Sequence, residues 1–117
     1  FVIGGHVRPY SYSCVGGRFY ETILKSLYVD KCFIGVNGIS LNSGLFTTVP
    51  LEADIKIQMA KQAKEVIVVA DSSKFGISPF TCIGPLKMMN VLITDSGIPK
   101  NYLEALTDMG IKIIIAE

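Results

Sequence analysis

An acid, two hydroxyls and a lysine, Asp71-Ser72-Ser73-Lys74, follow directly on the apolar run Val66-Ile67-Val68-Val69-Ala70. The run is short and mostly β-branched, which predicts a strand buried on both faces. In an open parallel sheet, ligands bind beyond the carboxyl ends of the strands. A lysine placed there behind small hydroxyl residues suits a phosphate. The ammonium supplies charge, and Ser72 and Ser73 supply hydroxyls or backbone N–H groups. The same four residues also make an ordinary turn, with Lys74 in solvent and paired with Asp71.

Two further apolar runs end in small polar residues. Cys32-Phe33-Ile34-Gly35-Val36 runs into Asn37-Gly38, and Val91-Leu92-Ile93 runs into Thr94-Asp95. If the strands are parallel, all three ends open on one rim. That convergence is the functional argument, because no single motif is strong. Asn37 can donate and accept hydrogen bonds to ligand hydroxyls, and Gly38 would let a ligand approach the backbone. On spacing alone, Asn-Gly is an ordinary turn. Glu52 and Lys56 stand four apart on a predicted helix, by default a surface pair worth about 0.3–0.5 kcal/mol, with Lys56 leaning to the rim as the alternative.

Other residues carry less. His6 is the one histidine, beside Arg8 in an irregular stretch, and no second histidine or neighbouring acid supports a triad. Thr47-Thr48 after Ser43-Gly44 lacks the glycine density and lysine of a phosphate loop and reads as a polar turn. Tyr10 and Tyr12 could cover a ligand, but aromatics flanking a core usually pack. Cys14, Cys32 and Cys82 share no metal or disulfide spacing, so reduced thiols, no metal site and a cytoplasmic protein are expected.

The elements that must hold the rim follow from the hydrophobic pattern. Strands are predicted at Phe1–Ile3, Cys32–Val36, Val66–Ala70, Phe80–Ile83, Val91–Ile93 and Ile111–Ile115. Helices are predicted at about Gly17–Tyr28, with Phe19, Tyr20, Ile23, Leu24, Leu27 and Tyr28 as its stripe, and at Leu51–Lys64, with Leu51, Ile55, Met59 and Ala63 inward. A third helix runs from Pro99 to Met109, closed by Gly110, and Leu86–Met89 forms a helical turn. Residues His6–Ser13 and Ser40–Pro50 are expected to be irregular. Strand and helix alternating in units of about thirty residues give a single α/β domain over 1–117, with a mostly parallel sheet and helices on its faces.

The 117 residues are 50% hydrophobic and 18% charged, which fits several fully buried strands. The net charge of +1 leaves no electrostatic footprint for nucleic acid in this stretch. No apolar run approaches the ~20 residues of a membrane span, and no membrane association is expected. The opening Phe1-Val2-Ile3-Gly4-Gly5 reads as a strand already under way, as in a piece of a longer protein.

Taken in order, these residues resemble the effector-sensing domain of DeoR-family transcriptional repressors. The resemblance rests on Gly4-Gly5-x-x-Arg8, Ser13-x-x-Gly16, Asp30-Lys31-x-Phe33-Ile34-Gly35-x-Asn37-Gly38-Ile39, Gly44-x-x-Thr47-Thr48, Glu52-Ala53-x-x-Lys56-x-x-Met59, Asp71-Ser72-Ser73-Lys74-Phe75-Gly76 and Ile93-Thr94-Asp95. It implies a bacterial regulator of sugar metabolism whose sensor domain binds a phosphorylated sugar. A helix-turn-helix domain, absent from these residues, would bind operator DNA. It further implies a homo-oligomer, no cofactor, and a fold related to ribose-5-phosphate isomerase. The phosphate loop of the family would lie outside this stretch. Lys74 matches the position that adds a cation to the phosphate, and Asn37, Gly38 and Lys56 match positions lining the sugar pocket. Asp71, Ser72 and Ser73 join them as effector-binding candidates.

The related isomerase offers an enzyme alternative. Its catalytic strand end carries Asp-Gly-Ala-Asp, where this chain has Asn37-Gly38-Ile39-Ser40. An amide is not a general base, and an unassisted serine hydroxyl is far too weak an acid near neutral pH. Binding without turnover, with no catalytic residue, is the expectation. A receiver-like domain ranks last, because the paired acids it needs after an early strand are missing.

Overall fold

The computed structural model describes residues 2–11, 13–16 and 18–117, with no side-chain account for residues 13–15, 18 and 19. Phe1, Tyr12 and Gly17, and the side chains of Cys14 and Phe19, therefore lie outside the described residues.

Four strands form the central parallel sheet: β3 (Val29–Gly35), β6 (Ala63–Val69), β8 (Val91–Asp95) and β9 (Lys112–Ala116). They lie in the order β3-β6-β8-β9, each pair parallel. Helix α2 (Pro50–Lys61) connects β3 towards β6, and α3 (Lys100–Asp108) connects β8 to β9. Ile34, Val68 and Leu92 project from one sheet face into a cluster with Ala53 of α2 and Leu106 of α3. Leu92, Leu106 and Val68 are wholly buried. The expected α/β architecture is the observed one.

Departures from expectation have local causes. Residues 2–5 form no strand; Gly4 and Gly5 take φ of +87° and +131°, outside the range of extended backbone. Instead β1 (His6–Arg8) and β2 (Ser13–Val15) pair antiparallel as a small hairpin within the stretch read as irregular. The loop expected over Ser40–Pro50 holds strand β5 (Gly44–Thr47), which pairs antiparallel with β4 (Gly38–Ser40) and with β7 (Thr81–Gly84). Ile39, Leu45 and Ile83 carry this second sheet into the main core. Helix α1 (Arg18–Lys25) is shorter than its apolar stripe; Tyr20 and Leu24 are buried one turn apart, while Tyr28 lies beyond the helix in solvent.

The inward face of α2 is also corrected. Leu51 is exposed, and Ala53 enters the core with Ile57 and Ala60 beside it. Ile55 and Met59 instead line a groove with Tyr20 and Leu24 of α1. Because α2 is covered on two sides, its apolar residues spread around it and no single stripe marks the core. Around α3 local signals hold: Pro99 is the N-cap residue, and Gly110 adopts φ +83° just past the end.

Candidate functional site

The parallel registers bring the carboxyl ends of β3, β6 and β8 to one edge of the sheet. Asn37-Gly38 and Asp71–Lys74 follow from the ends of β3 and β6, and Thr94-Asp95 closes β8. Main-chain contacts fix the first two loops to each other. Ile39 and Phe75 form a parallel bridge, and the Gly76 N–H donates to the Ile39 carbonyl at 2.8 Å. The Asn37 N–H donates to the Phe46 carbonyl at 2.8 Å.

The loop after β6 is a single 3₁₀ turn, Ser72–Lys74, capped by Asp71. Asp71 Oδ1 accepts from the Ser73 N–H at 2.9 Å and from the Ser73 hydroxyl. These bonds, the hydroxyl first, hold the Asp71 carboxyl below its ordinary range. Asp95 reaches across from β8: its Oδ2 accepts from the Ser72 N–H at 2.7 Å and its Oδ1 from the Gly97 N–H at 2.8 Å, which likewise lowers its pKa. The backbone N–H groups of Ser72 and Ser73 are thus aimed at carboxylates of the chain. Among the described residues, no carboxylate lies within ion-pair distance of the Lys74 ammonium. Thr94 is buried, and its hydroxyl meets no partner among the described residues.

Beside the β3 end lies a cleft of about 310 Å³ lined by Arg8, Ser11, Gly35, Val36, Asn37, Thr48, Glu52 and Lys56. Its charged centre is Glu52, whose side chain is 14% exposed. Arg8 of β1 pairs with Glu52 Oε1, and the Lys56 ammonium sits 3.7 Å from Oε2. The Thr47 hydroxyl, fully buried at the end of β5, lies 3.1 Å from Glu52 Oε2 and 2.9 Å from Asn37 Oδ1. One hydroxyl carries one proton, so Thr47 serves one of these acceptors at a time. Burial, partly offset by Glu52, lowers the Lys56 pKa from its ordinary value. The arrangement offers a carboxylate, an amide and two cations to a polar ligand.

Of the residues singled out in the sequence, Asn37 and Lys56 line this cleft together. Asp71, Ser72, Ser73 and Lys74 form the neighbouring loop and are not among its lining residues. Gly38 is buried; a Cβ there would lie 2.2 Å from the Ile77 carbonyl oxygen and 2.5 Å from Pro79 Cδ. The chain's own backbone, not an approaching ligand, demands that glycine. The Glu52–Lys56 pair exists but is largely buried and shared with Arg8, which corrects its reading as a surface pair. Thr47 is a buried hub of the site and not the polar turn that its neighbours suggest. The cleft holds a carboxylate, Glu52, which enters from α2.

The family model for the DeoR C terminal sensor domain matches residues 1–96. The HTH-type transcriptional repressor GlcR of Bacillus subtilis is 33% identical over the whole chain, which covers 45% of GlcR. The uncharacterized HTH-type transcriptional regulator YulB of the same organism is 32% identical over 83% of the chain, covering 38% of YulB. The HTH-type transcriptional regulator GlpR of Haloferax volcanii is 30% identical over 95% of the chain, covering 43% of GlpR. The chain thus spans less than half the length of these curated relatives. No helix among the described residues is long and apolar enough to cross a membrane.

Proposed function

Because the chain belongs to the DeoR C-terminal sensor-domain family, we propose that it is the effector-binding part of a transcriptional repressor of sugar metabolism. Its effector is a phosphorylated sugar held at the carboxyl ends of β3 and β6. Binding changes how a DNA-binding domain, lying outside these residues, holds operator DNA in a homo-oligomer. The observation that carries this reading is the polar cleft at the β3 end beside the loop that carries Lys74. Glu52 and Asn37 suit sugar hydroxyls, since a carboxylate and an amide accept and donate to them directly. Lys74, with no carboxylate within ion-pair distance among the described residues, suits the phosphate. The regulator names of GlcR, YulB and GlpR support a receptor over an enzyme.

The test is a thermal-shift and calorimetric screen of pentose and hexose phosphates against the full-length protein. A hit that loses at least tenfold in affinity in Lys74→Ala is the expected result. Unchanged affinity in that variant removes Lys74 from the site, and no hit across the panel removes the sugar phosphate. Glu52 gives the isomerase reading one specific observation, so each hit is also incubated and assayed for isomerised product. None is expected.

A further inference from the structure

The cleft at the β3 end holds more hydrogen-bond donors than its own acceptors can use. Arg8 and Lys56 bring two cations to it, and Glu52 is the one acid among the described residues that line it. Two cations against one carboxylate leave one positive charge in excess. The Arg8, Lys56 and Glu52 side chains are only 33%, 20% and 14% exposed. A carboxylate offers about four acceptor positions. Three donors already face Glu52: the Arg8 guanidinium on Oε1, and the Lys56 ammonium and the Thr47 hydroxyl on Oε2. A guanidinium carries five N–H groups and an ammonium three. Among the described residues, Glu52 is the only ion-pair partner of either cation, so most of these donors meet no carboxylate. Asn37 adds to the surplus: its Oδ1 faces the Thr47 hydroxyl at 2.9 Å, and its amide brings two further N–H donors. Excess charge drawn out of water is costly until an opposite charge completes it. Lys56 feels that cost: burial lowers its pKa, Glu52 opposes the shift, and Arg8 adds to it.

We propose that this cleft seats an acidic group, a carboxylate or a phosphate, between Arg8 and Lys56, so that the effector is a sugar phosphate bearing a second acidic group at its other end. The inference rests on the sugar-phosphate reading above and adds a second anchor to it. Lys74 stands on the neighbouring loop and does not line the cleft, so the rim carries two separate cationic positions. An oxyanion brings acceptor oxygens to the idle N–H groups and offsets the excess charge. A sugar hydroxyl can accept from the same groups, but it brings no charge to offset theirs. Its own proton competes for the position or so that Glu52 has left. Arg8 suits the task because a planar guanidinium holds one carboxylate along one edge and presents further N–H groups to another. Glu52 then acts as a spacer: with Arg8 on one oxygen and Lys56 on the other, it fixes the two cations as the sides of a clamp.

The test titrates the full-length protein by calorimetry with matched sets of three ligands: a hexose 6-phosphate, its 1,6-bisphosphate and its 6-phospho-aldonic acid. In the set that binds, a doubly acidic member should bind at least tenfold tighter than the monophosphate. Which member does so tells phosphate from carboxylate. That advantage should shrink below threefold in Arg8→Gln and in Lys56→Gln. It should persist in Lys64→Gln, which alters an exposed cation paired with Asp30. The reading is the ratio of affinities within one set, which a general weakening of a variant does not mimic, and circular dichroism checks that each variant is folded. The unmodified protein decides without any variant. Monophosphates that bind as tightly as both doubly acidic partners overturn the second acidic group and leave the sugar-phosphate reading standing. No binding by any member overturns both. An advantage that survives in either glutamine variant overturns the assignment of the acidic group to this cleft.

Discussion

The Ser72 N–H donates to Asp95 Oδ2 at 2.7 Å, which ties the loop after β6 to the end of β8. Two neighbouring strand ends are joined by one side chain, and the turn that carries Lys74 is anchored from outside itself. Its acid dependence follows.

Asp71 and Asp95 both have depressed folded-state pKa values, from hydrogen bonds to Ser73 and to Ser72 and Gly97. A carboxyl whose folded pKa lies below its unfolded value stabilises the fold above the unfolded pKa. That contribution is lost as pH falls through the ordinary value of 3.8 towards the lower folded value. Melting temperature should therefore drop on acidification through that window. Asp95→Asn should start lower at neutral pH and show a shallower acid limb. An unchanged acid limb would mean that Asp95 does not anchor the turn.

Glu52→Gln keeps the shape of the side chain but withdraws the charge that holds Arg8 and Lys56. Loss of one partner of a fully buried pair costs about 3–5 kcal/mol. Arg8 is a third exposed, so about 1–2 kcal/mol is expected here. Denaturant titration measures it. Hydrogen exchange should speed up over the β1–β2 hairpin first, since Arg8 is its tie to α2.

Thr47→Val preserves volume and removes the buried hydroxyl between Asn37 and Glu52. The cost should be about 1–3 kcal/mol, the range for leaving polar partners unsatisfied. Thr47→Ser should recover most of it. A valine variant as stable as the parent chain would show that the hydroxyl contributes nothing.

Gly38→Ala introduces a methyl 2.2 Å from the Ile77 carbonyl oxygen, a rigid backbone atom. About 3 kcal/mol of destabilisation is expected from the forced shift, read as a fall in melting temperature. Gly35→Ala, where a Cβ meets nothing within 4 Å, is the matched control.

What could be read from the sequence was what is encoded locally. Pro99 and Gly110 bracket α3 because each acts on its own backbone. The β-branched runs at 66–70 and 91–93 mark buried parallel strands because burial on both faces leaves no polar alternation. The β4–β5 hairpin was hidden: its three- and four-residue strands carry too short a pattern, and their stability comes from β7, some 35 residues further on. Arg8 and Thr47 were missed as site residues for a related reason. Their roles are defined by Glu52, which lies 44 and 5 residues away and becomes their neighbour only once the hairpin and α2 are packed. The Glu52–Lys56 spacing was visible, whereas its burial depends on that packing.

The bridge between Ile39 and Phe75, with the Gly76 N–H on the Ile39 carbonyl, is made of peptide groups. Every amino acid except proline brings both groups with it, so exchanging side chains along the lip of the hollow leaves its foundation in place. A frame built this way holds its shape when the side chains around the cleft are exchanged.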